Sequence, residues 1–212
     1  AEMGMPDEAY VENVVNSIPG YEQYFVAAFG NENPVNFENI KTAIGAFERR
    51  LVTPSRVDSY MLGDLSALTE EELQGAQTFV SVGCIGCHNG MGFGGLMYGK
   101  LGQAVPYEVE DAGRAAVTGV ETDEQVFKVP SLRNVTETGP YLHDGSIETI
   151  EEMVALMGKY QLARDLTTEE INSIVTFLGA LKGDLPEQYI AVPVLPESGP
   201  ETASFAQTQT ME

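Results

Sequence analysis

Two thiols and an imidazole stand together in Cys84-Ile85-Gly86-Cys87-His88, and these side chains are the best equipped for chemistry in the chain. Cysteines separated by two residues can each add a sulfur across one vinyl group of a porphyrin, while the histidine that follows reaches the iron. That is the attachment pattern of haem c. A redox-active dithiol needs a βαβ context and no histidine, whereas here the glycine-rich stretch from Asn89 to Gly95 follows. A zinc site needs four ligands, and the chain has two Cys and two His in all. Haem c is therefore the expected cofactor. It is attached outside the cytoplasm, so an exported, periplasmic protein is expected, with its signal peptide outside this sequence.

An iron held by His88 needs a second axial ligand, which can be a Met, a His or water. Met157 is the first choice, on an apolar helix face shortly before the last helix. Met153 shares that face, and Met91 and Met97 lie close in sequence to the proximal side. A methionine in such a face is equally read as core packing. As a ligand, its thioether favours ferrous iron and raises the reduction potential. The other imidazole, His143, sits in Pro140-Tyr141-Leu142-His143-Asp144-Gly145, where a hydrogen-bonded structural role competes with a haem-related one. Arg133 gains interest through the fork it can offer a haem propionate.

The elements that must position these groups read as helices. Val11, Val14, Val15 and Ile18 form one apolar face that stops at Pro19-Gly20, and Tyr21 to Phe29 form a second that stops at Gly30. Asn36 caps a third, with Phe37, Ile40, Ile44, Phe47 and Leu51 on one face. Thr69 with Glu72 makes a capping box for the helix that runs into the haem motif. The loop from 89 to 104 lets backbone pass close to a flat cofactor, and a short strand is expected at Gln125 to Val129. Ser146 is expected to open a helix that ends at Gly158, and Thr167 with Glu170 to cap the last one. The expected fold is all-α: a class I cytochrome c-like haem domain over residues 61–185, preceded by a helical segment over 1–60 and followed by an extended strap or tail over 186–212.

The net charge of −21 is spread almost evenly along the 212 residues. Even spreading gives a solvated acidic surface, in keeping with a saline habitat, and its field favours a basic partner. Eleven Lys and Arg are too few for phosphate-backbone binding, which excludes nucleic acid. No run approaches the roughly 18 apolar residues of a membrane span.

With these residues in view, the chain resembles the bacterial di-haem cytochrome c peroxidases. The resemblance rests on Glu2-Met3-Gly4-Met5, Ile44-Gly45-Ala46-Phe47-Glu48-Arg49, the Cys84 to His88 motif, Val129-Pro130-Ser131-Leu132-Arg133-Asn134, Gly139 to Ser146, and Tyr160-Gln161-Leu162. It implies a two-haem enzyme that reduces hydrogen peroxide to water, with electrons from a small cytochrome c or cupredoxin entering at one haem and the chemistry done at the other. It matches Cys84, Cys87, His88 and Met157 to the haem at which electrons enter, and His143 to a residue near the haems and their propionates. Thr138 and Pro140 match backbone carbonyl donors to a calcium ion, and Glu2 the acid/base carboxylate beside the peroxidatic haem. The family carries two Cys-x-x-Cys-His motifs where this chain has one, so residues 1–60 look like the end of the first haem domain. The rest of that domain, with the second haem, is expected elsewhere. The resemblance also implies a homodimer. A one-haem cytochrome that only transfers electrons is the alternative. Methylamine-utilisation maturation enzymes of the same superfamily fit less well, since they place a Tyr where Met157 stands.

Overall fold

The computed structural model describes residues 5–202. In chain order the helices are α1 (Glu8–Asn16), α2 (Gly20–Phe29), α3 (Phe37–Glu48), α4 (Arg56–Met61), α5 (Glu70–Val82), α6 (Ala115–Thr118), α7 (Ile150–Leu162), α8 (Thr168–Ala180) and α9 (Glu187–Ile190). Two short strands, β1 (Tyr98–Lys100) and β2 (Val126–Lys128), pair antiparallel with Gly99 opposite Phe127. The fold is helix-rich, roughly as expected of an all-α chain, with this small sheet added and β2 inside the strand expected at Gln125 to Val129. None of the described helices is long and apolar enough to cross a membrane.

The chain divides into two units, one of residues 1–52 with 186–212 and one of residues 53–185. The first gathers α1, α2, α3 and α9. Asp7 caps α1 by accepting from Tyr10 N at 2.7 Å, and Asn36 caps α3 by accepting from Asn39 N at 2.9 Å. Glu12 of α1 accepts from Phe37 N at 2.7 Å, which ties the start of α3 to α1. The segment after α9 joins this unit through Thr202, whose hydroxyl donates to the Ser17 carbonyl at 3.0 Å. Tyr189 stacks on Phe47 with ring centroids 5.1 Å apart.

The second unit has the larger core, built where α5 crosses α8. Thr69 and Glu72 form the expected reciprocal cap on α5, and Thr167 and Glu170 the one on α8. Phe79, Ile174, Phe177, Leu178 and Leu181 are buried between them. The crossing is close because Gly75 lies against α8: a Cβ there would meet the Ser173 carbonyl oxygen at 2.1 Å and Phe177 Cβ at 2.9 Å. Residues 53–60, which periodicity leaves with the first segment, sit in this second unit. Val57 of α4 is part of its core.

The helix expected to open at Ser146 and end at Gly158 differs at both ends. Ile147 exchanges backbone hydrogen bonds with Tyr141, which keeps it extended. Thr149 then caps α7 reciprocally with Glu152. At the other end Gly158 is a packing residue: a Cβ would stand 2.7 Å from Leu166 Cγ and 3.0 Å from the Arg164 carbonyl. The helix passes through it and stops at Ala163, which adopts a left-handed φ of 51°.

Candidate haem-binding site

Gly83, left-handed at φ 107°, ends α5 and turns the chain directly into a 3₁₀ turn over Cys84–Gly86. The turn closes with Cys87 N and His88 N both donating to the Cys84 carbonyl, at 3.2 and 3.0 Å. Both cysteines are free and half-buried, and burial pushes the Cys84 thiol up to about 11. Cys84 is thus kept as a thiol, the form that adds to a vinyl group.

His88 is half-buried, with Nδ1 3.3 Å from the Phe93 carbonyl oxygen. A carbonyl only accepts, so Nδ1 carries the proton and the Nε2 lone pair is left for a metal. Burial pushes the imidazole below its ordinary value against the pull of the Phe93 and Pro130 carbonyls, which favours the neutral, ligating form. Gly94, at φ 131°, lets the chain pass beside this ring. A Cβ there would lie 2.0 Å from the Pro130 carbonyl oxygen and 3.3 Å from His88 Nδ1. Two thiols, an imidazole fixed through its far nitrogen and a backbone too close for any side chain fit a covalently attached haem.

The 91–93 loop that supplies the Phe93 carbonyl is held by residues 131–133. Ser131 Oγ donates to the Gly92 carbonyl at 2.6 Å, Leu132 N donates to Gly92 and Phe93 carbonyls at 3.2 Å each, and Arg133 Nε donates to the Met91 carbonyl at 2.9 Å. The Phe93 ring meets Phe177 of α8 edge-on at 5.9 Å, and Phe177 meets Phe79 of α5 at 5.4 Å. The core that joins α5 to α8 therefore ends at the loop that orients His88.

Met157 stands within α7, half-buried, and Met153 on the same helix is half-buried too. Arg133 is 13% exposed, and its fork closes on Asp58, at 2.8 and 2.6 Å. His143 is 73% exposed, with Nε2 3.4 Å from Asp111 Oδ2. Thr138 and Pro140 are exposed on the loop before α7. Glu2 lies outside the described residues. Asp58 is the residue that sequence reasoning missed. Its signal was Ser55-x-x-Asp58, a capping-box pattern, and both halves of that box form. The partnership with Arg133, 75 positions on, left no local trace.

A family model described as di-haem cytochrome c peroxidase matches residues 1–66. The cytochrome c551 peroxidase of Nitrosomonas europaea is 45% identical over 194 residues, covering 90% of this chain and 57% of the relative. The cytochrome c551 peroxidase of Pseudomonas aeruginosa is 39% identical over 201 residues, covering 91% and 58%. Among solved structures, a MauG-like protein associated with microbial copper homeostasis superimposes with a TM-score of 0.67 and 28% identity, covering 88% of this chain and 64% of that one. The chain thus spans little more than half the length of these two peroxidases.

Proposed function

We propose, for a chain that is a relative of the di-haem cytochrome c peroxidases, that it carries the haem at which electrons enter such an enzyme. It would receive them from a small cytochrome c or cupredoxin and pass them to a second haem that reduces hydrogen peroxide to water. The observation that carries this is the Cys84–His88 turn, with Nδ1 engaged and Nε2 left open, in a chain so similar to two cytochrome c551 peroxidases.

Cys84 and Cys87 would anchor the haem in a cytochrome c-like domain, and His88 through Nε2 and Met157 through its thioether would be the ligands to its iron. The group so held supplies a one-electron couple, raised in potential by a thioether ligand. The chain's own contribution is to hold the imidazole neutral and oriented, to keep the Cys84 thiol protonated until attachment, and to surround the site with a field that draws a basic donor. Glu2 is assigned the proton transfer at the peroxidatic haem, where a carboxylate must reach both peroxide oxygens. His143 would lie near the propionates, and the Thr138 and Pro140 carbonyls would serve a calcium ion. The periplasm is the setting that haem c attachment calls for.

The family description names two haems and this sequence has one attachment motif, so peroxide chemistry is assigned to a second haem-bearing segment. The test compares electron exchange with peroxidase turnover. The one-haem chain should be oxidised and reduced readily by small redox proteins while turning over peroxide slowly. Addition of the second haem segment should restore turnover with Glu2 intact and not with Glu2→Gln. Full turnover by the one-haem chain would make the haem at His88 the catalytic one. No restoration by the second segment would favour the alternative, a one-haem electron carrier.

A further inference from the structure

The Arg133 side chain joins three stretches of the second unit. Nε donates to the Met91 carbonyl at 2.9 Å, one terminal nitrogen donates to Asp58 Oδ2 at 2.8 Å and the Thr53 carbonyl at 3.3 Å, and the other donates to Asp58 Oδ1 at 2.6 Å. Asp58 is itself fixed, because Oδ2 also accepts from Ser55 N at 2.6 Å and Ser55 Oγ at 2.9 Å at the start of α4. The guanidinium is therefore planted on α4, and its third edge grips the loop two residues before Phe93. The same short segment grips Gly92 and Phe93 through Ser131 and Leu132. Leu132 N and His88 Nδ1 share the Phe93 carbonyl, at 3.2 and 3.3 Å.

We propose that Arg133, set by Asp58, is a positioning residue for His88: it fixes where the Phe93 carbonyl stands against Nδ1 and thereby tunes the reduction potential of a haem held at His88. This rests on the reading of His88 as an iron ligand. A firm Nδ1–H···O=C bond makes the imidazole a stronger donor, and a stronger donor favours ferric iron, so the intact clamp holds the potential down. Releasing the loop lets the Phe93 carbonyl move off the ring and leaves it the Pro130 carbonyl alone, which weakens the donor and raises the potential. The bidentate geometry matters as much as the charge, since a lysine can meet Asp58 but offers no planar fork with a third edge for Met91.

The test measures covalent haem content, midpoint potential and unfolding midpoint for the haem-loaded protein and for Arg133→Lys, Arg133→Ala and Asp58→Asn. Arg133→Ala and Asp58→Asn should raise the potential by about 59 mV, a roughly tenfold shift toward ferrous iron for one electron. Arg133→Lys should raise it less, at unchanged haem content. Exchange of the His88 Nδ1 proton with solvent should quicken in the same order. Potentials that stay at the parent value, or fall, in haem-loaded variants whose unfolding midpoints drop would leave the clamp a purely structural device and overturn the proposal. Should Arg133→Ala not fold, Arg133→Lys alone decides by the same criterion. Failure of the parent chain to bind haem covalently would overturn the haem reading itself, a distinct result.

Discussion

Two glycine-to-alanine changes on the crossed helices should have opposite signs. Alanine favours a helix interior over glycine by about 1 kcal/mol, so each change begins with a gain of that size. At Gly179 of α8 a new Cβ meets nothing within 4 Å, so that gain should appear nearly whole. At Gly75 of α5 the Cβ would stand 2.1 Å from the Ser173 carbonyl, against 3.4 Å for ordinary contact, which leaves 1.3 Å to be found. Ser173 O belongs to the backbone of α8 and cannot rotate away, so the helices must part around Phe79, Ile174 and Phe177. Overpacking of this kind costs about 1–3 kcal/mol, and a backbone obstacle argues for the upper end. The net expectation is a loss of about 2 kcal/mol for Gly75→Ala and a gain of about 0.5–1 kcal/mol for Gly179→Ala. Urea unfolding of the haem-loaded protein reads both as opposite shifts of midpoint at constant slope. A neutral or stabilising Gly75→Ala would refute the close crossing, and with it the route by which α5 and α8 hold Phe93 and His88.

Met157→Ala should lower the potential and change the haem spectrum, with Met153→Ala leaving both alone; the reverse pattern would move the ligand to Met153. Met157→His should also lower the potential, imidazole being the stronger donor to ferric iron. Thr69→Ala and Thr167→Ala each remove one capping box and should cost about 1 kcal/mol in urea unfolding. The Arg133 guanidinium, then the Ser55 bonds, hold Asp58 far below its ordinary 3.8, and Arg56 holds Glu72 below 4.5. Depressed values mean stabilisation present in full above those ordinary values and lost as pH falls below them toward the folded-state values. Unfolding free energy measured from about pH 6 down to 2 should therefore fall more gently for Asp58→Asn and Glu72→Gln than for the parent; parallel curves would count against these pairs. With −21 on the chain, association with a basic donor should slow as salt rises, and a rate flat with salt would indicate apolar docking.

What was legible in the sequence was local. Thr69/Glu72, Thr167/Glu170 and Asn36 announce helix starts because a cap is a contact between residues three apart, and each forms as expected. The same rule applies at Thr149/Glu152, but the apolar residues Ile147 and Ile150 suggest an earlier start for α7. Only the Tyr141–Ile147 bridge, a tertiary pairing, keeps Ile147 out of the helix. Glycine often ends helices, so Gly158 reads as a stop, whereas here it is small to admit Leu166. The Cys84–His88 motif stands in five consecutive residues, and the sequence shows it whole. Its supports were not: the Phe93 carbonyl contributes backbone, which carries no residue signature, and the Asp58–Arg133 pair spans most of the second unit.

A single haem c on the Cys84–His88 turn is decided by the intact mass of the natively produced protein under denaturing conditions. The mass should equal the polypeptide plus one haem, with the addition lost on mutation of both cysteines. The bare polypeptide mass in natively produced material would contradict it.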